Sequence, residues 1–178
     1  MDAIQLLTKD HREVEDMFAE YEGLGEDAEK ERCRKLAERI VESLRMHTEI
    51  EESKFYPAVR KEAEDAGDLV EEAMEEHAKL KDALSELSDM SPEDDEFDDK
   101  MQEIMEDVRH HVEEEEGELF PKTREGMSAE RLEGIGSEME QEKQGGSRTE
   151  RRSGSSRAAG KSRSARSSKK SKKRSHGS

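Results

Sequence analysis

The chain has 178 residues, of which 44% are charged and 29% apolar, and it carries a formal net charge of −17. A composition this close to the disordered range leaves room only for a narrow core, and no window supplies the roughly 20 apolar residues of a membrane span. One cysteine, Cys33, excludes an internal disulfide, and "MDAIQLLTKDHREVED" has neither the apolar run nor the cleavage site of a secretory signal. A cytoplasmic protein is expected, monomeric and without a membrane partner. Its charge is divided. From Lys143 to Ser178 there are 13 Lys or Arg and one acid, whereas residues 1–142 hold 18 basic residues and 47 acidic ones.

In chain order, apolar positions recurring at steps of three and four predict four helices. The first stripe is Ile4, Leu7, His11, Val14, Phe18 and Tyr21, ending at Gly23 and Gly25. The second is Cys33, Leu36, Ile40, Leu44, His47, Glu51 and Phe55, with Pro57 expected to bend or end it. After the breaker Gly67 the third runs Val70, Ala73, His77, Leu80, Leu84 and Leu87. The fourth runs Phe97, Met101, Ile104, Val108, His111, Glu115 and Leu119, with Ser91-Pro92 as its expected N-cap and first helical residue. Short loops favour an all-α, up-down-up-down antiparallel four-helix bundle over residues 1–126. Residues 127–142 read as a short helix or linker. From 143 to 178 the chain is mostly Ser, Gly, Lys and Arg and is expected to be a disordered basic tail.

Each stripe is interrupted by one histidine, and two of them also by a glutamate four residues later. "HTEIEESKFYP" (47–57) matches "HVEEEEGELFP" (111–121) in both spacings, and "DHREVEDMF" (10–18) echoes "EHAKLKDAL" (76–84). Side chains four apart share a helix face about 6 Å apart. His47 with Glu51, and His111 with Glu115, can therefore aim two donors at one point in the interior. An unpartnered buried carboxylate costs several kcal/mol or takes up a proton, a penalty that a bound cation removes. A lone histidine in such a stripe is ordinarily a hydrogen-bonded core residue; four of them, one per helix, point instead to metal. The candidate ligands are His11, His47, Glu51, His77, His111 and Glu115, arranged about a pair of ions bridged by the glutamates. His110 falls on the polar face and reads as solvated or as a neighbour standing behind the ligands, and Glu113, Glu114, Glu116 and Glu118 read as a solvated face. Phe55 and Phe120 read as core filling, and Cys33 as a small buried apolar residue. Imidazole and carboxylate without thiolate suit iron, with manganese or zinc behind it. The Glu-x-x-His spacing of ferritin-like bundles is absent, since residues 8, 44, 74 and 108 are Thr, Leu, Met and Val.

These four motifs, in this order, make residues 1 to about 125 resemble the hemerythrin-like, or HHE cation-binding, family. The resemblance implies a four-helix bundle with a non-haem di-iron centre, the six candidates standing on its ligand positions. It also implies binding of oxygen, sensing of oxygen, nitric oxide or iron, or iron storage. Oxygen-carrying members have a further histidine four residues after that of the third helix, where this chain has Lys81. The missing imidazole leaves one iron a ligand short, or supplied by water or by Glu52. Iron binding is thus implied more directly than reversible oxygen carriage. The tail has no aromatic residue, so it can contact nucleic acid through phosphates but cannot read sequence by stacking. That contact makes a tethered interaction protein the second reading. No catalytic triad, Gly-rich phosphate loop or dinucleotide fingerprint stands out, and no enzyme acting on an organic substrate is expected.

Overall fold

A computed structural model describes residues 1–25 and 29–157, with side chains left out at 64 and 146–157. It is all-helical, with no strand among the described residues. The helices are α1 (Ala3–Glu22), α2 (Lys30–Ile50), α3 (Tyr56–Glu62), α4 (Gly67–Asp89), α5 (Phe97–Glu114), α6 (Phe120–Gly126) and α7 (Ala129–Arg157). Asp2 caps α1 by accepting the Gln5 N–H at 2.8 Å while Gln5 Oε1 accepts the Asp2 N–H, closing both ends of a capping box. Gly25, at φ +70°, turns the chain after α1, in the left-handed region that side chains resist.

The prolines do not stop their helices. Between α2 and α3, residues Glu51–Phe55 form one π-helical turn, in which the Tyr56 N–H donates to the Glu51 carbonyl. Glu115–Leu119 repeat this between α5 and α6, with Phe120 donating to Glu115. Widening the turn by one residue relieves the clash of a proline ring with the carbonyl four back, so Pro57 and Pro121 sit in the first turn of helices that continue. Ser91-Pro92 does not cap α5 either. Ser91 turns onto Asp94, accepting its N–H at 2.9 Å, and Asp94 accepts from Phe97 at 3.1 Å. The helix begins at Phe97, the first buried apolar residue of its stripe.

Neighbouring long helices meet at pairs whose numbers run in opposite senses. Glu20 pairs with Arg39 and His11 with His47 across α1 and α2. Ser88 meets Arg45 and Lys81 meets Glu52 across α4 and the α2 arm. Glu86 with Lys100 and Glu76 with His111 join α4 to α5, and Asp98 with Tyr21 and Glu116 with His11 join the α5 arm to α1. The core is divided into two apolar layers. One holds Ile4, Leu7, Ile50, Phe55, Val59, Val70, Leu119 and Phe120; the other holds Val14, Phe18, Ile40, Leu44, Leu80, Leu84, Met101 and Ile104. Each buried side chain of this size contributes about 1.5–3 kcal/mol, which is how a chain so poor in apolar residues holds together.

The short helix or linker expected over 127–142 is part of a longer helix. Leu132, Ile135 and Met139 of α7 are buried in the first layer, so the compact body runs from Met1 to Gln144. The disordered tail was expected from 143, yet residues up to Arg157 are helical. Glu138, Glu140, Gln141, Glu142, Lys143 and Gln144 are good helix formers and carry the pattern past the apolar positions. Residues 158–178 of that tail lie outside the described residues. No described helix is long and apolar enough to cross a membrane.

Candidate metal centre

The plane between the two apolar layers is filled by the residues that interrupt the stripes. His11, His47, Glu51, His77, His111 and Glu115 are all buried there. They form two imidazole pairs: His11 Nε2 lies 3.2 Å from His47 Nε2, and His77 Nε2 lies 3.2 Å from His111 Nε2. Each glutamate spans both pairs. Glu51 Oε2 is 3.2 Å from His47 Nε2 and 3.2 Å from His77 Nε2. Glu115 Oε2 is 3.3 Å from His11 Nε2 and 3.6 Å from His111 Nε2. The π turns matter here, because a turn one residue wider lets Glu51 face this layer while Phe55 and Tyr56 both remain buried behind it.

Whether a cation fits can be judged from atoms without partners. Glu51 Oε1 and Oε2 and Glu115 Oε2 are buried with no hydrogen-bond partner, a state that costs several kcal/mol per charge unless something else neutralises it. Two nitrogens about 2.1 Å from one ion, at a roughly right-angled to tetrahedral opening, stand about 3.0–3.4 Å apart, which is the spacing within each imidazole pair. His11, His47, Glu51 and Glu115 offer four atoms within 4.8 Å of one another, and Glu51, His77 and His111 offer three.

The outward faces of the rings meet a second set of carboxylates. His11 Nδ1 lies 2.9 Å from Glu116, His77 Nδ1 3.1 Å from Glu52 and His111 Nδ1 2.8 Å from Glu76. An ionised carboxylate can only accept, so each of these Nδ1 atoms carries the proton and leaves the Nε2 lone pair aimed at the centre, the usual arrangement behind metal-bound histidine.

The chain matches the family model "Hemerythrin HHE cation binding domain" over residues 2–123. It belongs to that family. This HHE domain is similar in fold to the crystal structure of a hemerythrin HHE cation binding domain-containing protein from Mycobacterium kansasii, with a TM-score of 0.69 and 23% identity, covering 81% of this chain and 86% of that one. It is also 29% identical over 133 residues to a protein named DNA nickase from Nostoc sp. (strain PCC 7120 / SAG 25.82 / UTEX 2576). The match takes in 75% of this chain but 36% of that protein, so the chain spans about a third of its relative's length.

Electrostatics within the HHE domain follow from burial. Burial and the neighbouring Glu115 push the Glu51 carboxyl well above the usual carboxylate range, so it holds a proton until a cation replaces it. Burial also opposes charge on Glu115, but the imidazoles of His11 and His111 beside it outweigh that and keep the carboxyl low. Burial draws His47 down to about 4. Tyr56 stays protonated, its phenol pushed up by burial and by Glu51 and Glu115, and it donates to Glu115 Oε1 at 2.9 Å while standing 3.2 Å from His77 Nε2. A cleft of about 290 Å³ between α4 and α5 reaches His77 and His111.

Several of these roles differ from the sequence reading. Glu116, read as solvated, touches His11. Glu52, a suggested replacement ligand, faces the outer Nδ1 of His77 instead, because Lys81 Nζ holds both its oxygens at 2.6 Å. The Lys81 ammonium is thereby neutralised outside the centre. Nothing in the apolar stripes marks Tyr56, Asp10 or Glu76. Their signal lay in the repeat: "DH" and "EH" place Asp10 and Glu76 before matching histidines, and "EE" places Glu52 and Glu116 after matching glutamates. His110 is exposed, as its place on the polar face predicts.

Proposed function

We propose that this HHE domain is an up-down four-helix di-iron protein that binds or senses oxygen, nitric oxide or iron in the cytoplasm, with His11, His47, Glu51, His77, His111 and Glu115 as the ligands. The observation that carries the reading is the pair of carboxylate oxygens, Glu51 Oε2 and Glu115 Oε2, each within 3.6 Å of one imidazole from either pair. Those six side chains would hold the ions, and a hard oxygen and imidazole donor set favours iron. Iron there would supply one-electron redox chemistry and open coordination positions.

The chain's own residues do the rest. Glu52, Glu76 and Glu116 fix the tautomer of three rings. Tyr56 orients Glu115 and leaves a hydroxyl beside the three-donor position, the one the cleft reaches. The apolar layers above and below keep bulk water out, which strengthens each electrostatic contact between them. Purified with iron, the full chain should hold about two irons and show near-ultraviolet charge-transfer absorption after exposure to air. Fewer than one iron per chain defeats the reading.

Charge asymmetry supports a second reading, in which the basic segment after the domain contacts nucleic acid through phosphates. It is compatible with the first, since the acidic domain and the basic segment are separate in sequence.

A further inference from the structure

Resting on the metal reading above, we infer that Lys143 draws Asp10 away from His47 and so makes His47 the most loosely held of the four imidazoles. Three rings have a carboxylate 2.8–3.1 Å from Nδ1. His47 does not: its Nδ1 stands 3.8 Å from Asp10 Oδ2, and both atoms are buried without a hydrogen-bond partner. The other Asp10 oxygen is taken by Lys143 Nζ at 2.5 Å. A charged donor competes with a neutral ring N–H for the same carboxylate; the longer Glu52 still reaches His77 at 3.1 Å while Lys81 holds both its oxygens, whereas Asp10, held by Lys143, does not reach His47.

Lys143 is held in place. α7 buries Leu132, Ile135 and Met139, and its Gly136 packs so closely on residues 1–3 that a Cβ there would lie 2.5 Å from the Met1 carbonyl oxygen. The residue before Lys143 reaches the π turn that carries Glu51. Glu142 accepts from Ser53 Oγ at 3.1 Å and pairs with Lys54 at 3.3 Å, both within the π turn that begins at Glu51. Two successive residues of α7 therefore bear on His47, through Asp10, and on Glu51, through its turn.

The internal repeat supplies a comparison within the molecule. Asp10 and His47 correspond to Glu76 and His111, where among the described residues no ion pair with a lysine or arginine is found and Glu76 closes to 2.8 Å. An aspartate is one methylene shorter than a glutamate, which is the competing cause of the gap at His47. The two causes predict opposite results when the lysine is neutralised.

A carboxylate bonded to the far side of a ligating imidazole orients the ring and raises its basicity, and losing such a partner typically changes metal affinity about 10–100-fold. In Lys143→Gln, Asp10 is free to close on His47. The test loads the full chain with Co²⁺ and follows release to excess chelator by visible absorption, with His47→Gln identifying the phase that belongs to its imidazole pair. Lys143→Gln should slow that phase about tenfold and leave the other unchanged, whereas Lys143→Arg, which keeps the ion pair, should release at the wild-type rate. An unchanged or faster phase in Lys143→Gln overturns the inference, as does equal slowing of both phases or slowing by Lys143→Arg. A wild-type chain that takes up no Co²⁺ overturns the metal reading and this inference with it.

Discussion

Glu51 lies at the meeting point of both imidazole pairs, fully buried, with neither oxygen hydrogen-bonded. Without a cation it is held protonated by burial and by Glu115, and a neutral amide of the same shape mimics that state. Glu51→Gln should therefore change the stability of the metal-free protein by no more than about 1 kcal/mol while removing most of the stabilisation that metal adds. The sign with pH follows. A raised carboxyl pKa means a proton must leave before the oxygen can bind, so uptake of Zn²⁺ near pH 7 in weak buffer should release protons, and affinity should rise with pH. An indicator dye should report about one proton fewer per chain in Glu51→Gln; equal release from both proteins would rule out this role for Glu51. The six central residues were legible because each breaks an apolar stripe. Asp10, Glu76 and Glu116 were not, since in a chain with 48 acids a carboxylate next to a ligand on the helix looks like any solvated neighbour, and Glu52 reads as a ligand and not as a partner of the outer face of His77. Tyr56 was hidden for a different reason: at its repeat position stands Phe120, and an aromatic pair reads as core until the hydroxyl is seen against Glu115.

At the level of elements, periodicity located the four long stripes well, because burial enforces it residue by residue. It could not show the two π turns, which add a residue without removing an apolar position, and it misplaced the start of α5, where Ser91 and Pro92 make a turn of their own. α7 was underread because only Leu132, Ile135 and Met139 mark its buried face. Its docking makes a sharp contrast between glycines. Gly136→Ala places a Cβ 2.5 Å from the Met1 carbonyl oxygen and 2.8 Å from the Ala3 nitrogen. These are backbone atoms that cannot swing aside, so urea denaturation of the metal-free protein should show a loss of about 1–3 kcal/mol. Gly117, inside the second π turn, has nothing within 4 Å of the same position, and Gly117→Ala should raise stability by up to about 1 kcal/mol. If Gly136→Ala proves neutral, α7 does not pack on the N-terminus of α1 as described.

Over the whole molecule, two apolar layers enclose a polar one, and most of the exposed residues of the body are charged. Residues 1–142 carry 47 acids and 18 basic groups, a field that repels nucleic acid over about a Debye length, near 10 Å at 0.1 M salt. Any contact with phosphates must then come through the segment Gly145–Ser178, which has 12 Lys or Arg and one acid. The place of the cut decides what a truncation can say. Removing residues from 143 onward would take Lys143 off Asp10 and disturb the centre, whereas removing 145–178 keeps both Glu142 and Lys143 in α7. The shorter deletion should leave the iron content unchanged and abolish retention on DNA at low salt. For the full chain, log affinity should fall steeply and linearly with log salt, at about 0.9 per phosphate neutralised. Retention that survives the deletion would assign nucleic-acid contact to the acidic body, against its charge, and a full chain that DNA never retains would remove the tether altogether.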